Sequence, residues 1–66
     1  MINKVYTYRK AAKMTQEGLA KALGVTRQTI ISIEQGRYVA SLPLAIKMAQ
    51  IFKVHVEDLF LLEDNE

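Results

Sequence analysis

Several residue types are absent or scarce in this 66-residue chain, and each absence argues against a class of function. There is no cysteine, so neither a disulfide framework nor a thiolate zinc site is available. With one histidine, His55, and no glycine-rich phosphate loop, we expect no enzyme, metal, cofactor or small-molecule ligand. No apolar run approaches the roughly 18 residues that a membrane-spanning helix needs. The sequence therefore predicts no membrane partner and a cytoplasmic location.

The apolar content is nevertheless high enough for a folded protein. Half of the residues are apolar, which argues against disorder. A chain of this length supports one small core, so we expect residues 1–66 to form a single domain. Because such a core provides little stability by itself, association with a second copy would help.

Residues 15–36 contain the signals for two short helices joined by a tight turn. Thr15 can cap the first helix, because its hydroxyl can accept a hydrogen bond from a backbone N–H of the first turn. Gly24 permits the left-handed conformation that ends a helix, and Thr26 starts the next helix at once. Helices joined this tightly must cross steeply, which predicts a helix-turn-helix.

The second of these two helices, which starts at Thr26, carries neutral hydrogen-bonding side chains on its outer face. Ile30 and Ile33 define its core face, and Gln28 and Ser32 point away from it. Such side chains can read base edges in the major groove, and arginine suits guanine or phosphate. The predicted base-reading residues are Arg27, Gln28, Thr29 and Ser32. The alternative is an ordinary solvated helix face.

The stretch TQEGLAKALGVTRQTIISIEQGRY resembles the Cro/cI-type (XRE) helix-turn-helix family of bacterial and phage repressors. The match continues to the segment Asp58-Leu59-Phe60 and so covers nearly the whole chain. The resemblance implies an all-α fold, a compact five-helix bundle like the lambda-repressor DNA-binding domain, with the motif at helices 2 and 3. It also implies sequence-specific binding of double-stranded DNA by a homodimeric transcriptional regulator, with repression as the family's usual role.

The charge distribution suits a polyanionic partner on one side of the molecule. Residues 1–56 contain all nine Lys and Arg against two acidic residues, a balance of +7. Residues 57–66, which include Glu66, hold the other five acidic residues. A basic body with an acidic tail favours DNA on the body, although a charged surface kept for solubility is the alternative.

The resemblance also assigns residues that grip the DNA backbone. The glutamine at the first turn of helix 2 contacts a phosphate in the family, and a helix N-terminus binds anions through its own N–H groups. The loop after helix 3 runs along the backbone. The predicted phosphate contacts are Gln16, Arg37, Tyr38, Arg9 and Lys10. The resemblance also pairs Arg9 with Glu34, and Tyr38 has the alternative of a half-buried loop aromatic.

The C-terminal region has more apolar residues than one core face can bury. We therefore expect residues 54–66 to contribute to a two-fold dimer, as this region commonly does in the family. The predicted dimer contacts are Ile51, Val56, Leu59, Phe60, Leu61 and Leu62. A weaker alternative pairs Met1-Ile2 with Leu61-Leu62 as a short ribbon. A dimer would place two reading helices about 34 Å apart on a roughly palindromic operator.

Helix one is predicted to run from about Asn3 to Lys13. In helix four, Leu42, Ala45, Ala49 and Phe52 are expected to face the core, with Leu44, Met48 and Ile51 as surplus. Gly18 should cost about 0.5–1 kcal/mol relative to alanine, with no compensating reason in the sequence.

One other class of function fits the same fold. A protein-interaction module, such as an antitoxin or a regulator's partner subunit, would keep the helices without reading DNA. Its distinguishing feature would be an apolar or acidic outer face on helix 3. Here that face holds Gln, Ser and Arg with Ile31 as the exception, so DNA reading is favoured.

Overall fold

The computed structural model describes residues 1–64, and within them it contains five helices and a two-stranded antiparallel sheet. In chain order the elements are β1 (Ile2–Asn3), α1 (Val5–Ala11), α2 (Gln16–Leu23), α3 (Arg27–Glu34), α4 (Leu42–Phe52), α5 (Val56–Leu59) and β2 (Phe60–Leu61). The predicted five-helix fold is confirmed, although the chain is not all helix. Residues 65–66, which include Glu66 and the end of the predicted dimerisation segment, lie outside the described residues.

Three helices begin where the sequence predicts, and each has a hydroxyl cap. The side chains of Thr15, Thr26 and Ser41 accept hydrogen bonds from backbone N–H groups at the third helical position. The corresponding N···O distances are 2.9 Å from Gly18, 3.3 Å from Thr29 and 3.3 Å from Leu44. Each cap satisfies one of the donors that a helix start leaves unpaired.

A single core joins all five helices. Its members are Val5, Leu19, Ala20, Leu23, Ile30, Ile33, Leu44, Met48, Ala49 and Leu59. The predicted core face of α4 is partly wrong, because Leu44 and Met48 are buried while Leu42 is 68% exposed. The apolar arc of this helix covers about half its circumference, so its pattern does not tell which part faces the bundle. Even α4, the longest helix among residues 1–64, lacks the length needed to cross a membrane.

The N-terminus forms a strand where the sequence predicts the start of helix one. Ile2 pairs with Leu61 and Asn3 with Phe60, so the ribbon alternative is confirmed for Ile2 and Leu61, while the strands include Asn3 and Phe60 in place of Met1 and Leu62. The Asn3 amide Nδ2 also donates to the carbonyl of Ile33 at 2.9 Å, and its Oδ1 accepts from the N–H of Val5 at 3.2 Å. Because Asn3 pairs in the ribbon and its side chain bonds to the end of α3, it does not belong to α1, which starts at Val5.

Candidate nucleic-acid interface

A three-residue connection sets the crossing of α2 and α3. Gly24 adopts the left-handed conformation at φ 73°, and Thr26 is already the cap of α3. Between them, the N–H of Val25 bonds to the carbonyl of Ala20 at 3.0 Å, which ties the turn to the end of α2. Ile30 and Ile33 then lie in the core with no exposed surface, so the opposite face of α3 is directed outward.

On the outward face, three of the predicted base-reading residues are paired through their side chains, Gln28 with Ser32 and Thr29 with the cap residue Thr26. Gln28 is exposed and its Nε2 donates to Ser32 Oγ at 3.4 Å. The hydroxyls of Thr26 and Thr29 lie 3.1 Å apart. The side chains of Thr26, Gln28, Thr29, Ser32 and Tyr38 line one open groove. Arg27 is exposed at the helix start but does not line this groove.

A buried ion pair holds α3 against α1. The Nε atom of Arg9 lies 2.6 Å from Oε2 of Glu34, and Nη2 lies 3.3 Å from Oε1. The side chains are only 8% and 7% exposed. The hydrogen bonding of the Arg9 guanidinium to the Glu34 carboxylate, which accepts, raises the pKa of Arg9 above its ordinary value, against the opposing effect of burial. The pairing predicted by resemblance is therefore confirmed, and Arg9 stays charged inside the protein.

The same carboxylate also holds α2. Gln16 Nε2 donates to Glu34 Oε1 at 3.1 Å, and Arg9 Nη1 donates to the carbonyl of Met14 at 2.8 Å. Glu34 thus connects all three helices around the motif. The sequence pattern did not reveal its bond to Gln16, because nothing in the 18-residue separation between them signals contact.

The predicted phosphate contacts divide into exposed and buried groups. Lys10, Arg37 and Tyr38 are exposed, and the N–H of Arg37 bonds to the carbonyl of Ser32 at 2.9 Å, which fixes the loop to α3. Arg9 is only 6% exposed, and its Nε, Nη1 and Nη2 atoms all donate to protein oxygens. The phosphate contact predicted for Arg9 is therefore not supported, since its guanidinium is committed to bracing the helices.

The predicted dimer contacts also need one correction. Leu59 has no exposed surface and belongs to the core, so it is not available to a second copy. Ile51, Val56, Phe60 and Leu61 are half-buried, and Leu62 is 68% exposed. The ribbon places the exposed side chain of Ile2 on the strand next to Leu61, a neighbour that the dimer prediction did not include.

The sequence profile of a helix-turn-helix family matches residues 5–59 of this chain. The chain belongs to this helix-turn-helix family. An uncharacterized HTH-type transcriptional regulator of Methanocaldococcus jannaschii is 56% identical over 66 residues, covering all of both chains. The HTH-type regulator YgzD of Bacillus subtilis is 47% identical over 65 residues, covering 98% of each chain.

The crystal structure of the restriction-modification controller protein C.AhdI from Aeromonas hydrophila has the same fold. It matches with a TM-score of 0.78 at 28% identity, covering 86% of each chain. These findings confirm the XRE-type resemblance and make the chain a helix-turn-helix transcriptional regulator with a DNA-binding fold. In this helix-turn-helix regulator, α2 and α3 are the two helices of the motif.

Proposed function

We propose that this protein is a homodimeric repressor that reads a roughly palindromic operator with α3 in the major groove. The observation that carries the proposal is the outer face of α3, where Arg27 and Gln28 are exposed and Thr29 and Ser32 are partly exposed. Arginine and glutamine make the bidentate contacts that distinguish guanine and adenine. Reading DNA also requires access to the chromosome, so the cytoplasm remains the predicted location.

The network around Glu34 supports this proposal by fixing the reading helix. A base-reading side chain discriminates well only when its backbone is held in place. Here the buried pair with Arg9 joins α3 to α1, and the bond from Gln16 joins it to α2. The helix would then dock as part of a rigid unit whose outer face needs no rearrangement.

Three exposed or partly exposed residues would grip the phosphates beside the groove. Gln16 lies at the first turn of α2. The side-chain amide of Gln16 has two N–H groups, one of which donates a hydrogen bond to Glu34, so the other can donate to a phosphate oxygen. Arg37 and Lys10 are exposed cations on the basic part of the chain. Such contacts set affinity and orientation while the bases set specificity.

The apolar surface at the ribbon supports the proposed dimer. The described members of this ribbon surface are Met1, Ile2, Val56, Phe60, Leu61 and Leu62. Met1 is 43% exposed, Ile2 51% and Leu62 68%, so large apolar side chains in and beside the ribbon face solvent. Burying them against a second copy would add apolar contact that a small core lacks. A two-fold axis there would pair two reading helices on one duplex.

The experiment is selection of binding sites from a random duplex pool by wild type, Gln28→Ala and Gln50→Ala. Gln50 is the matched control, because it is an exposed glutamine on α4, outside the proposed interface. We expect wild type and Gln50→Ala to enrich the same roughly palindromic site, and Gln28→Ala to lose selectivity at one position of each half-site. Enrichment that does not depend on Gln28 would overturn base reading by α3.

No selected site at all would favour the other class, a protein-interaction module such as an antitoxin or partner subunit. The exposed Gln28 and Arg27 face would then serve a protein surface. That outcome would be separated from simple inactivity by first showing that the preparation is folded and that its thermal unfolding is cooperative.

A further inference from the structure

The groove on the outer face of α3 has a wall that does not belong to the helix. Four of its lining residues, Thr26, Gln28, Thr29 and Ser32, come from α3 and its cap, and the fifth is Tyr38. Tyr38 is two residues beyond Gly36, whose φ of 76° turns the chain at the end of α3. The Tyr38 side chain is 48% exposed, so it borders the groove and remains open to a ligand.

The hydrogen-bonding groups on the threonine side of the groove are already engaged with one another. The Thr26 hydroxyl accepts from the N–H of Thr29 at 3.3 Å and lies 3.1 Å from the Thr29 hydroxyl. Each threonine also carries a methyl group, and the tyrosine contributes an aromatic ring. Whichever hydroxyl donates to the other, one O–H on this side stays free to donate to a base edge. Beside it, the threonine methyl groups and the tyrosine ring are apolar, whereas Gln28 and Ser32 supply further polar atoms.

Thymine is the base that presents a methyl group in the major groove, beside the O4 acceptor. We propose that the groove between α3 and Tyr38 takes the methyl edge of one thymine per half-site, with Tyr38 as a specificity-determining residue. This inference rests on the proposed function, and it names a base and a residue that the function alone does not. It replaces the phosphate contact predicted for Tyr38 by a contact that carries sequence information.

Deoxyuridine provides the test, because it differs from thymidine only by the missing methyl group. The selected duplex is titrated with wild type, Tyr38→Ala and Tyr38→Phe, with each thymine replaced in turn by deoxyuridine. We expect one position per half-site where the replacement weakens wild-type binding about fourfold, the value for burying one methyl-sized group. Tyr38→Ala should bind the thymidine and the deoxyuridine duplex equally, with the affinity that wild type has for the deoxyuridine duplex. Tyr38→Phe should still bind the thymidine duplex more tightly than the deoxyuridine duplex.

Arg37→Ala is the matched control, since Arg37 is the exposed neighbour of Tyr38 in the same loop. It should weaken thymidine and deoxyuridine duplexes equally and lower the salt dependence of binding, as loss of a phosphate contact does. The proposal is overturned if Tyr38→Ala still distinguishes the two bases. It is also overturned if Tyr38→Phe weakens both duplexes equally, which would make the hydroxyl a phosphate contact.

The failure of this inference can be told from the failure of the proposed function. If wild type selects a site that depends on Gln28 but no thymine responds to deoxyuridine, only the role of Tyr38 is wrong. If wild type selects no site, the proposed function fails at the selection step, and the inference fails with it.

Discussion

Arg9 and Glu34 form a buried ion pair in which Nε lies 2.6 Å from Oε2, with the two side chains 8% and 7% exposed. A buried charge is costly unless it is paired and hydrogen-bonded. Here Glu34 accepts from both Arg9 and Gln16, while Arg9 also donates to the carbonyl of Met14. One carboxylate therefore fixes the relative positions of α1, α2 and α3, and through them the proposed reading face.

Removing one partner of this pair should destabilise the protein strongly. We expect Arg9→Met to lower the free energy of unfolding by about 3–5 kcal/mol, because it leaves the Glu34 carboxylate buried without its cation. The double variant Arg9→Met, Glu34→Leu should recover much of that loss. Urea denaturation would measure both, with Lys10→Ala as the exposed control, expected within about 0.5 kcal/mol of wild type. Equal losses for Arg9→Met and Lys10→Ala would contradict the buried pair.

The contribution of Arg9 to the free energy of unfolding should not change with pH above neutrality. The hydrogen bond that Arg9 donates to the Glu34 carboxylate raises the pKa of Arg9 above its ordinary value. A raised pKa gives a stabilisation that is complete below the unfolded-state pKa and lost only as the pH rises through the folded-state value. We therefore expect the difference in unfolding free energy between wild type and the double variant to be constant from about pH 7 to 10. A steady change across that range would be inconsistent with this assignment.

The two helix glycines of the motif should respond differently to alanine. At Gly24 a Cβ would meet no atom within 4 Å, but φ is +73°, so we expect Gly24→Ala to cost about 1–2 kcal/mol from backbone conformation alone. Thermal and urea unfolding would measure the cost. A neutral result would mean that the turn relaxes out of the left-handed conformation without loss.

Gly18 is explained by the cap of α2. An added Cβ would lie 3.1 Å from Thr15 Oγ1, the atom that accepts from the N–H of Gly18 at 2.9 Å. At the equivalent position of α3 the residue is Thr29, and the cap bond there is 3.3 Å. We expect Gly18→Ala to change stability by less than about 0.5 kcal/mol, since gained helix propensity offsets a weakened cap. A loss above about 1 kcal/mol would show that Thr15 cannot shift.

The proposed dimer can be tested with two leucines of equal exposure. Leu62 and Leu42 are both 68% exposed, but only Leu62 belongs to the ribbon surface. We expect Leu62→Lys to give monomers in sedimentation experiments, because it places a charge at an apolar interface, and Leu42→Lys to leave the dimer intact. Dissociation by both variants, or by neither, would argue against a dimer at the ribbon.

Local signals in the sequence predicted the motif well. Thr15, Gly24 and Thr26 have conformations that depend mainly on neighbouring residues, and in the structure α2 starts after Thr15 and ends at Gly24, and α3 starts after Thr26, as the sequence predicts. The buried pair of Arg9 and Glu34 followed only from resemblance, since composition and spacing do not report contacts 25 residues apart.

The ribbon, the burial of Leu59 and the groove at Tyr38 depend on tertiary packing, which the sequence pattern does not show. The ribbon joins residues at the two ends of the described chain, and two-residue strands leave too short a pattern to recognise. Leu59 is one of several consecutive apolar residues, so the pattern did not reveal which of them the core takes. The groove bordered by Tyr38 depends on the path of the loop after Gly36, which sequence periodicity does not describe.

The most direct measurement is the affinity of the protein for its selected duplex and for a scrambled duplex of the same composition, by fluorescence anisotropy at several salt concentrations. We expect the selected site to bind roughly 10³-fold or more tightly, with affinity for both duplexes falling as salt rises. Gln28→Ala should reduce that ratio and leave the salt slope of wild type unchanged. Equal affinity of wild type for the two duplexes would contradict sequence reading by α3.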